Sequence, residues 1–284
     1  MPSSPAEKPV KVLNDIAFAG SDGAELLGDL YMPEGVDTAP VLVAVHGGGW
    51  QIGNRKFYLH WGPYLARHRI AVFAIEYRLT KPGAKAYPDA VRDVRAAVGF
   101  IRANASRYGL DPERIGLIGD SAGAHLSALV ALAGNEPPFS PGSGAPVGRI
   151  AVGAVVGFYG VYDTAAQWRH DLAVRPRDNI TEKFLGAALY ADRRVYFESS
   201  PISYATADRN ATRFLLVHGT EDDVVDAKTR SQPFALALKQ AGFFVRSVVI
   251  PGAGHFFVTD PVDDTSYGGF AGPQVVRFLK EAGF

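Results

Sequence analysis

Ile115-Gly116-Leu117-Ile118-Gly119-Asp120-Ser121-Ala122-Gly123-Ala124-His125-Leu126 is the stretch that decides the fold. Its opening residues form an apolar run that reads as a buried strand, and Ala122–Leu132 has the composition of a buried helix. Between them lies G-x-S-x-G. A turn from strand to helix this tight tolerates only small residues around the serine, and its strain lifts the hydroxyl out at the strand's end. The helix that begins there aims its free N–H groups at the same point, where they favour developing negative charge. A bare G-x-S-x-G arises often by chance, as a glycine-rich turn with an incidental serine. A strand before it and a helix after it favour a nucleophile at Ser121.

The same alternation extends outward from this stretch. Val41–Val45 is a continuously apolar strand that follows Pro40 and ends on a glycine run. Ile70–Tyr77, Arg114–Gly119, Ile150–Val156, Arg213–Val217 and Phe244–Ile250 are further strand candidates. Pro88 to Tyr108 reads as helix, with Val91, Val94, Val98 and Ile101 on one face and Gly109 as the C-cap. Helical segments near Lys228–Gln240 and Pro273–Glu281 complete a β-then-α order, which implies a mainly parallel sheet with helices on both faces. Ahead of it, Val12–Ala19 and Leu26–Met32 read as an antiparallel hairpin around Ser21-Asp22-Gly23, placed at the sheet edge. Asn135–Gly148, rich in Gly, Pro and Ser, reads as a surface loop. Gly160–Asn210 is a long excursion between strands with a short helix expected around Ile180–Tyr190. An insertion of that length in a compact domain is usually functional. The organisation expected is one α/β domain over residues 1–284 with a cap inserted at about 160–210.

A strand-ending glycine run precedes the serine in the chain: His46-Gly47-Gly48-Gly49-Trp50. Acyl transfer needs backbone donors close to the oxyanion, and glycines permit that approach. Each such donor is worth roughly 3 kcal/mol of transition-state stabilisation. The N–H groups of Gly48, Gly49 and Ala122 are assigned to this hole. A phosphate-binding loop is the poorer reading, because neither G-K-[ST] nor G-x-G-x-x-G follows. His46 stands where it braces the loop rather than transfers protons.

The serine needs a base and the base an orienting acid. In this type of fold the chain order is Ser, acid, His. His46, His60 and His68 precede Ser121, and His125 follows too closely to admit an acid. His170 lies in the expected cap and His218 ends a strand. His255, in the Pro251–Phe256 loop beyond the last strand, is therefore the base. The acid lies in Glu221-Asp222-Asp223, just after the Arg213–Val217 strand, and spacing alone does not choose among the three. Trp50, beside the glycine loop, and Phe256, beside His255, are expected to line the substrate pocket. The remaining aromatics fit ordinary core packing.

Composition narrows the classes. The 284 residues are 47% apolar and 20% charged, enough to bury a sizeable core. Lys+Arg and Asp+Glu both number 29, so no global field recruits nucleic acid or an anionic membrane. Cysteine is absent, which removes disulfides, thiolate metal sites and a thiol nucleophile. No H-E-x-x-H or other metal-ligand spacing occurs. Met1–Leu13 carries no apolar stretch of signal-peptide length and no segment approaches a membrane span, so a soluble cytoplasmic protein is expected. Three Asn-x-Ser/Thr triplets, at Asn104, Asn179 and Asn210, carry little weight in that setting. The oligomeric state is open, a homo-oligomer included.

Taken together, His46–Trp50, Gly119–Gly123, His218-Gly219-Thr220-Glu221-Asp222 and Gly254-His255-Phe256 resemble the carboxylesterases of the hormone-sensitive-lipase and feruloyl-esterase-like branch of the α/β-hydrolases. The motifs stand in family order, and the similarity runs over roughly residues 25–284. The resemblance implies a cofactor-free hydrolase with an eight-stranded sheet, acting on a small-molecule ester, often of short acyl chain. It also implies that the acid is Asp222, four positions after the strand-ending His218. Ser200-Pro201-Ile202 matches a segment found in the group ahead of the acid-bearing strand. One departure is the short N-terminal region, about forty residues before the glycine loop, which argues against a site for long acyl chains. Gly119-x-Ser121-Ala122-Gly123-Ala124-His125 is also similar to kynurenine formamidases, so an amidase using the same residues is the alternative. A non-catalytic ligand-binding relative is a further one, disfavoured because Ser, acid and His are all present.

Overall fold

The computed structural model describes residues 9–21, 24–140 and 149–284. Eight strands form one sheet: β1 (Val10–Ser21), β2 (Ala24–Pro33), β3 (Ala39–Val45), β4 (Ala71–Ile75), β5 (Leu110–Asp120), β6 (Ala154–Phe158), β7 (Arg213–Gly219) and β8 (Val245–Ile250). Their order across the sheet is β1-β2-β4-β3-β5-β6-β7-β8. β1 pairs antiparallel with β2 and β2 with β4, and every other neighbour is parallel. This is the expected mainly parallel eight-stranded sheet, with the antiparallel β1–β2 pair at one edge.

The central strands β3, β4 and β6 are apolar and buried at every position because both faces are covered. In β3 all seven residues are buried, and alternation sends Val41, Val43 and Val45 to one core and Leu42 and Ala44 to the other. The first core receives α2 (Asp89–Ala103), α4 (Ala122–Ala133) and α8 (Ser231–Gln240); the second receives α1 (Trp61–Arg67) and α9 (Tyr267–Glu281). Each fully buried Val, Leu or Ile contributes roughly 1.5–3 kcal/mol. α3 (Ala105–Tyr108) is a single turn ending on Gly109 at φ 65°. Between β6 and β7 lie α5 (Thr164–Val174), α6 (Ile180–Leu185) and α7 (Arg193–Ser199), with short 3-10 turns at Pro201–Tyr204 and Ala207–Arg209.

Several boundaries differ from those expected. Pro88–Tyr108 is two helices, because the Asn104 backbone closes α2 on the Phe100 carbonyl. The strand expected at Ile150–Val156 runs instead over Ala154–Phe158; Gly153 donates to the Ile115 carbonyl at 2.9 Å, ahead of the paired register. α9 begins six residues before Pro273, capped by the Ser266 side chain on the Gly269 N–H, and carries the proline inside it. The helix expected around Ile180–Tyr190 stops at Leu185, where Gly186 turns left-handed at φ 81°. Asp22 and Gly23 of the expected hairpin turn, and residues 141–148 of the expected loop, lie outside the described residues.

Candidate active site

Ser121 sits at the junction of β5 and α4 with φ 50° and ψ −116°, a strained backbone for a residue with a side chain. The turn is held by two glycines. A Cβ on Gly119 would press on the Gly123 backbone, and one on Gly123 would run into the Val45 carbonyl oxygen. The elbow thus packs directly against the end of β3, where the glycine loop starts.

His255 reaches Ser121 from the loop after β8. Its Nε2 lies 3.0 Å from Ser121 Oγ and its Nδ1 lies 2.8 Å from Asp222 Oδ2. A carboxylate accepts, so Nδ1 carries the proton and Nε2 presents its lone pair to the serine hydroxyl. Asp222, after β7, is itself pinned: its Oδ1 accepts from the Val224 N–H at 3.0 Å and the Val225 N–H at 2.9 Å. The side chains of His255 and Asp222 are 2% and 1% exposed. Asp223 is exposed. Behind the imidazole stands Tyr159, its ring centroid 4.3 Å away and its hydroxyl accepting from the Val258 N–H.

The glycine loop faces the serine from the end of β3. Gly48 and Gly49 take φ of 104° and 60°, and a Cβ on Gly48 would strike the Ile52 carbonyl. The N–H groups of Gly48, Gly49 and Ala122 donate to no acceptor among the described residues, and all three residues border the cavity that holds Ser121 and His255. Asp120 ties this loop to the elbow. Its Oδ1 accepts from the Gly47 N–H at 3.0 Å and from the Tyr58 hydroxyl at 3.2 Å. Burial pushes the Asp120 carboxyl up to about 7, against the pull of Tyr58 and the Gly47 N–H. His46 braces the loop. Its Nδ1 donates to the Gly47 carbonyl at 2.7 Å, its ring stacks on Tyr77 at 4.4 Å, and burial lowers its pKa to about 4.

The cavity is about 270 Å³. Phe256 is on its wall, 56% exposed, with its ring edge against His255. Trp50 also borders it but is only 2% exposed, stacked on Phe184 at 4.4 Å. Its Nε1 donates to His125 Nδ1 at 3.1 Å, while His125 Nε2 donates to the Ser199 carbonyl at 2.7 Å. Trp50 is thus as much a clamp between loop, helix and insertion as a pocket wall. The opposite wall comes from residues that sequence reasoning did not single out: Val161, Gln167, Asp171, Arg175 and Ile180 of the β6–β7 segment. The signal for Tyr159 was present, an aromatic just past the carboxyl end of a parallel strand. Gln167, Asp171 and Arg175 gave a four-residue helical stripe, but nothing in the pattern told which face looked inward.

Residues 28–238 match the BD-FAE family model. The chain belongs to the BD-FAE family. Among its relatives, esterase LipQ of Mycobacterium tuberculosis is 33% identical over 251 residues, which is 86% of this chain and 57% of LipQ. The solved structure of esterase Est2 from Thermogutta terrifontis superposes with a TM-score of 0.74 at 25% identity, covering 98% of this chain and 94% of Est2. The same Thermogutta enzyme is also known in a form phosphoramylated by tabun, with a TM-score of 0.76. The chain spans about half the length of the curated relatives it matches. Among the described residues no helix is long and apolar enough to cross a membrane.

Proposed function

We propose that this protein is a serine carboxylesterase that hydrolyses esters of small acyl or aryl groups through an acyl-enzyme. One observation carries the reading: Ser121 Oγ, His255 Nε2 and Asp222 Oδ2 form a continuous hydrogen-bonded line at 3.0 and 2.8 Å beside three unengaged backbone N–H groups. Its relatives named as esterases support the same chemistry. His255 takes the Ser121 proton as Oγ attacks the ester carbonyl, and the oxyanion rests on the Gly48, Gly49 and Ala122 N–H groups. Asp222 holds the imidazole tautomer and stabilises its cation. His255 then protonates the departing alcohol, and water, activated the same way, releases the acid. A cavity of about 270 Å³ suits a short acyl chain, below the usual range for drug-sized ligands. Residues 160–210 act as a cap, since α5 and α6 supply the wall facing the triad.

Initial rates on p-nitrophenyl esters from acetate to laurate, with an aryl formamide in parallel, test this. Ser121→Ala is expected to lose about 10⁵–10⁶ in kcat with the fold intact, and short chains to be turned over best. A fluorophosphonate should label the wild type at Ser121 and leave Ser121→Ala unmodified. Equal turnover by wild type and Ser121→Ala would end the proposal. Faster turnover of the formamide than of any ester would make the enzyme an amidase with the same residue roles.

A further inference from the structure

Past the glycine loop lies a second groove, of about 720 Å³, and Gln51 borders both it and the triad's cavity. Its walls come from three places. The Lys81–Ala84 turn hangs from the glycine loop, because the Thr80 N–H donates to the Trp50 carbonyl at 2.7 Å. The chain leaving α5 brings Arg177, and α6 brings Glu182 and Lys183. Lys85 completes the lining with its stem laid over Gly186.

The charge of this lining is lopsided in a protein whose overall balance is zero. Lys81, Lys85, Arg177 and Lys183 face one carboxylate, Glu182. Lys183 is occupied by Asp178, and Glu182 accepts from Trp168 Nε1 at 3.1 Å. Lys81, Lys85 and Arg177 pair with no acid among the described residues. Beside them Thr80 is 8% exposed, and its hydroxyl oxygen, buried, finds no hydrogen-bond partner. Lys81, Lys85 and Arg177 are all exposed, so the attraction they offer together across the groove is a solvated, salt-sensitive one that concentrates anions.

We infer that this groove is an anion-binding subsite, so that the preferred substrate is an ester whose remote part carries a carboxylate or phosphate group. The inference rests on the esterase reading, since it places the scissile bond at Ser121. The neutral triad cavity holds the reacting ester, and the remainder of the substrate passes Gln51 to meet Lys81, Lys85 and Arg177. Such a division lets binding energy from a non-reacting part of the substrate position the reacting one.

The test uses matched pairs of p-nitrophenyl esters of α,ω-diacids from succinate to suberate, each with the far carboxyl free or methyl-capped, and an ω-phosphate analogue. At low ionic strength the free acids of the longer members are expected to exceed their capped partners about tenfold in kcat/KM. That ratio should fall toward one by roughly 0.5 M salt, where the Debye length is a few ångström. The triple variant Lys81→Gln, Lys85→Gln, Arg177→Gln should bring the ratio to about one without salt, its fold checked by thermal melting. The ω-phosphate outrunning the ω-carboxylate identifies phosphate as the preferred anion, and the reverse identifies carboxylate. Normal turnover of capped esters with no preference for the anions, or a preference untouched by the triple variant, overturns the subsite. Calorimetric titration with suberate reads the groove without turnover. Binding by wild type and at least fivefold weaker binding by the triple variant support the subsite even if no ester is cleaved; equal binding overturns it.

Discussion

Replacing Asp222 by asparagine isolates the orienting role of the acid from its structural one. Asp222 uses Oδ1 for the Val224 and Val225 N–H groups and Oδ2 for His255 Nδ1. An asparagine with its carbonyl oxygen on the two N–H groups keeps both loop bonds. Its NH₂ then faces Nδ1, which must accept rather than donate, so the imidazole proton moves to Nε2. That is the atom 3.0 Å from Ser121 Oγ that has to take the serine proton. The base is blocked in its ground state, and the imidazolium formed in the transition state loses its negative partner. A swap of this kind lowers kcat about 10⁴-fold, or roughly 5.5 kcal/mol. KM should change little, because the substrate does not touch Asp222 in this reading. Asp223→Asn, at an exposed neighbour, should stay within about 0.5 kcal/mol of wild-type stability and keep its activity. The assay is steady-state hydrolysis of p-nitrophenyl butyrate, with circular dichroism to confirm the fold. More than a tenth of wild-type kcat in Asp222→Asn, or a larger loss in Asp223→Asn, would refute the tautomer argument.

Other perturbations probe the scaffold around the triad. Gly123→Ala drives a methyl group into the Val45 carbonyl and should abolish soluble expression or cost more than about 3 kcal/mol, read by urea unfolding; near-wild-type stability would contradict the contact. His125→Leu strands the buried Trp50 N–H and the Ser199 carbonyl, at about 1–3 kcal/mol for each unpaired group, and a melting temperature within about 2 °C of wild type would count against it. Asp120, raised to about 7 by burial from an ordinary 3.8, keeps its proton in the folded state where the unfolded chain has lost it. Its contribution to stability is therefore full below about pH 4 and falls as pH rises toward 7, by up to roughly 4 kcal/mol at about 1.4 kcal/mol per pH unit. Asp120→Asn should remove that slope, so its stability relative to wild type rises from about pH 4 to about pH 7; a stability relative to wild type that stays flat or falls across this window would reverse the assignment.

The sheet was legible because parallel strands buried on both faces are written as unbroken apolar runs, as at Val41–Val45. The elbow was legible because only glycines fit where Gly119 and Gly123 meet β3. His255 followed from chain order, whereas Asp222 did not follow from spacing. What separates it from Asp223 is the direction of a side chain in a turn, fixed by the Val224 and Val225 N–H groups, and three adjacent carboxylates do not encode that. Residues whose role depends on contacts distant in sequence were harder still. Asp120 reads as the variable position of G-x-S-x-G, yet it joins the elbow to Gly47, 73 residues earlier. Pro273 reads as the start of the last helix, yet that helix begins at Tyr267, where the Ser266 side chain caps the Gly269 N–H.

These differences divide the site into two halves with different physical origins. The half proposed to do the chemistry hangs on the ends of β3, β5, β7 and β8, strands packed between two cores. The half proposed to select the substrate hangs on α5 and α6, which reach the cavity through Gln167, Asp171, Arg175 and Ile180. That half is fixed locally. Asp171, fully buried, accepts from the Thr181 N–H and hydroxyl, from Gln167 Nε2 and from Arg175 Nη2. The two Thr181 donors join α5 to α6 while Gln167 in α5 and Arg175 at its C-cap hold the same carboxylate, and the Trp50–Phe184 stack and the Trp50–His125 bond then link α6 to the glycine loop and α4. The same wall is tied to the rest of the protein by Thr164 on Tyr196 and Ser200, by Arg230 on Gln167 and by the Tyr87 N–H on the Phe184 carbonyl. Lys81, Lys85 and Arg177 line the neighbouring groove, so substitutions there are expected to change which esters are preferred while Ser121, His255 and Asp222 keep the positions the sheet gives them.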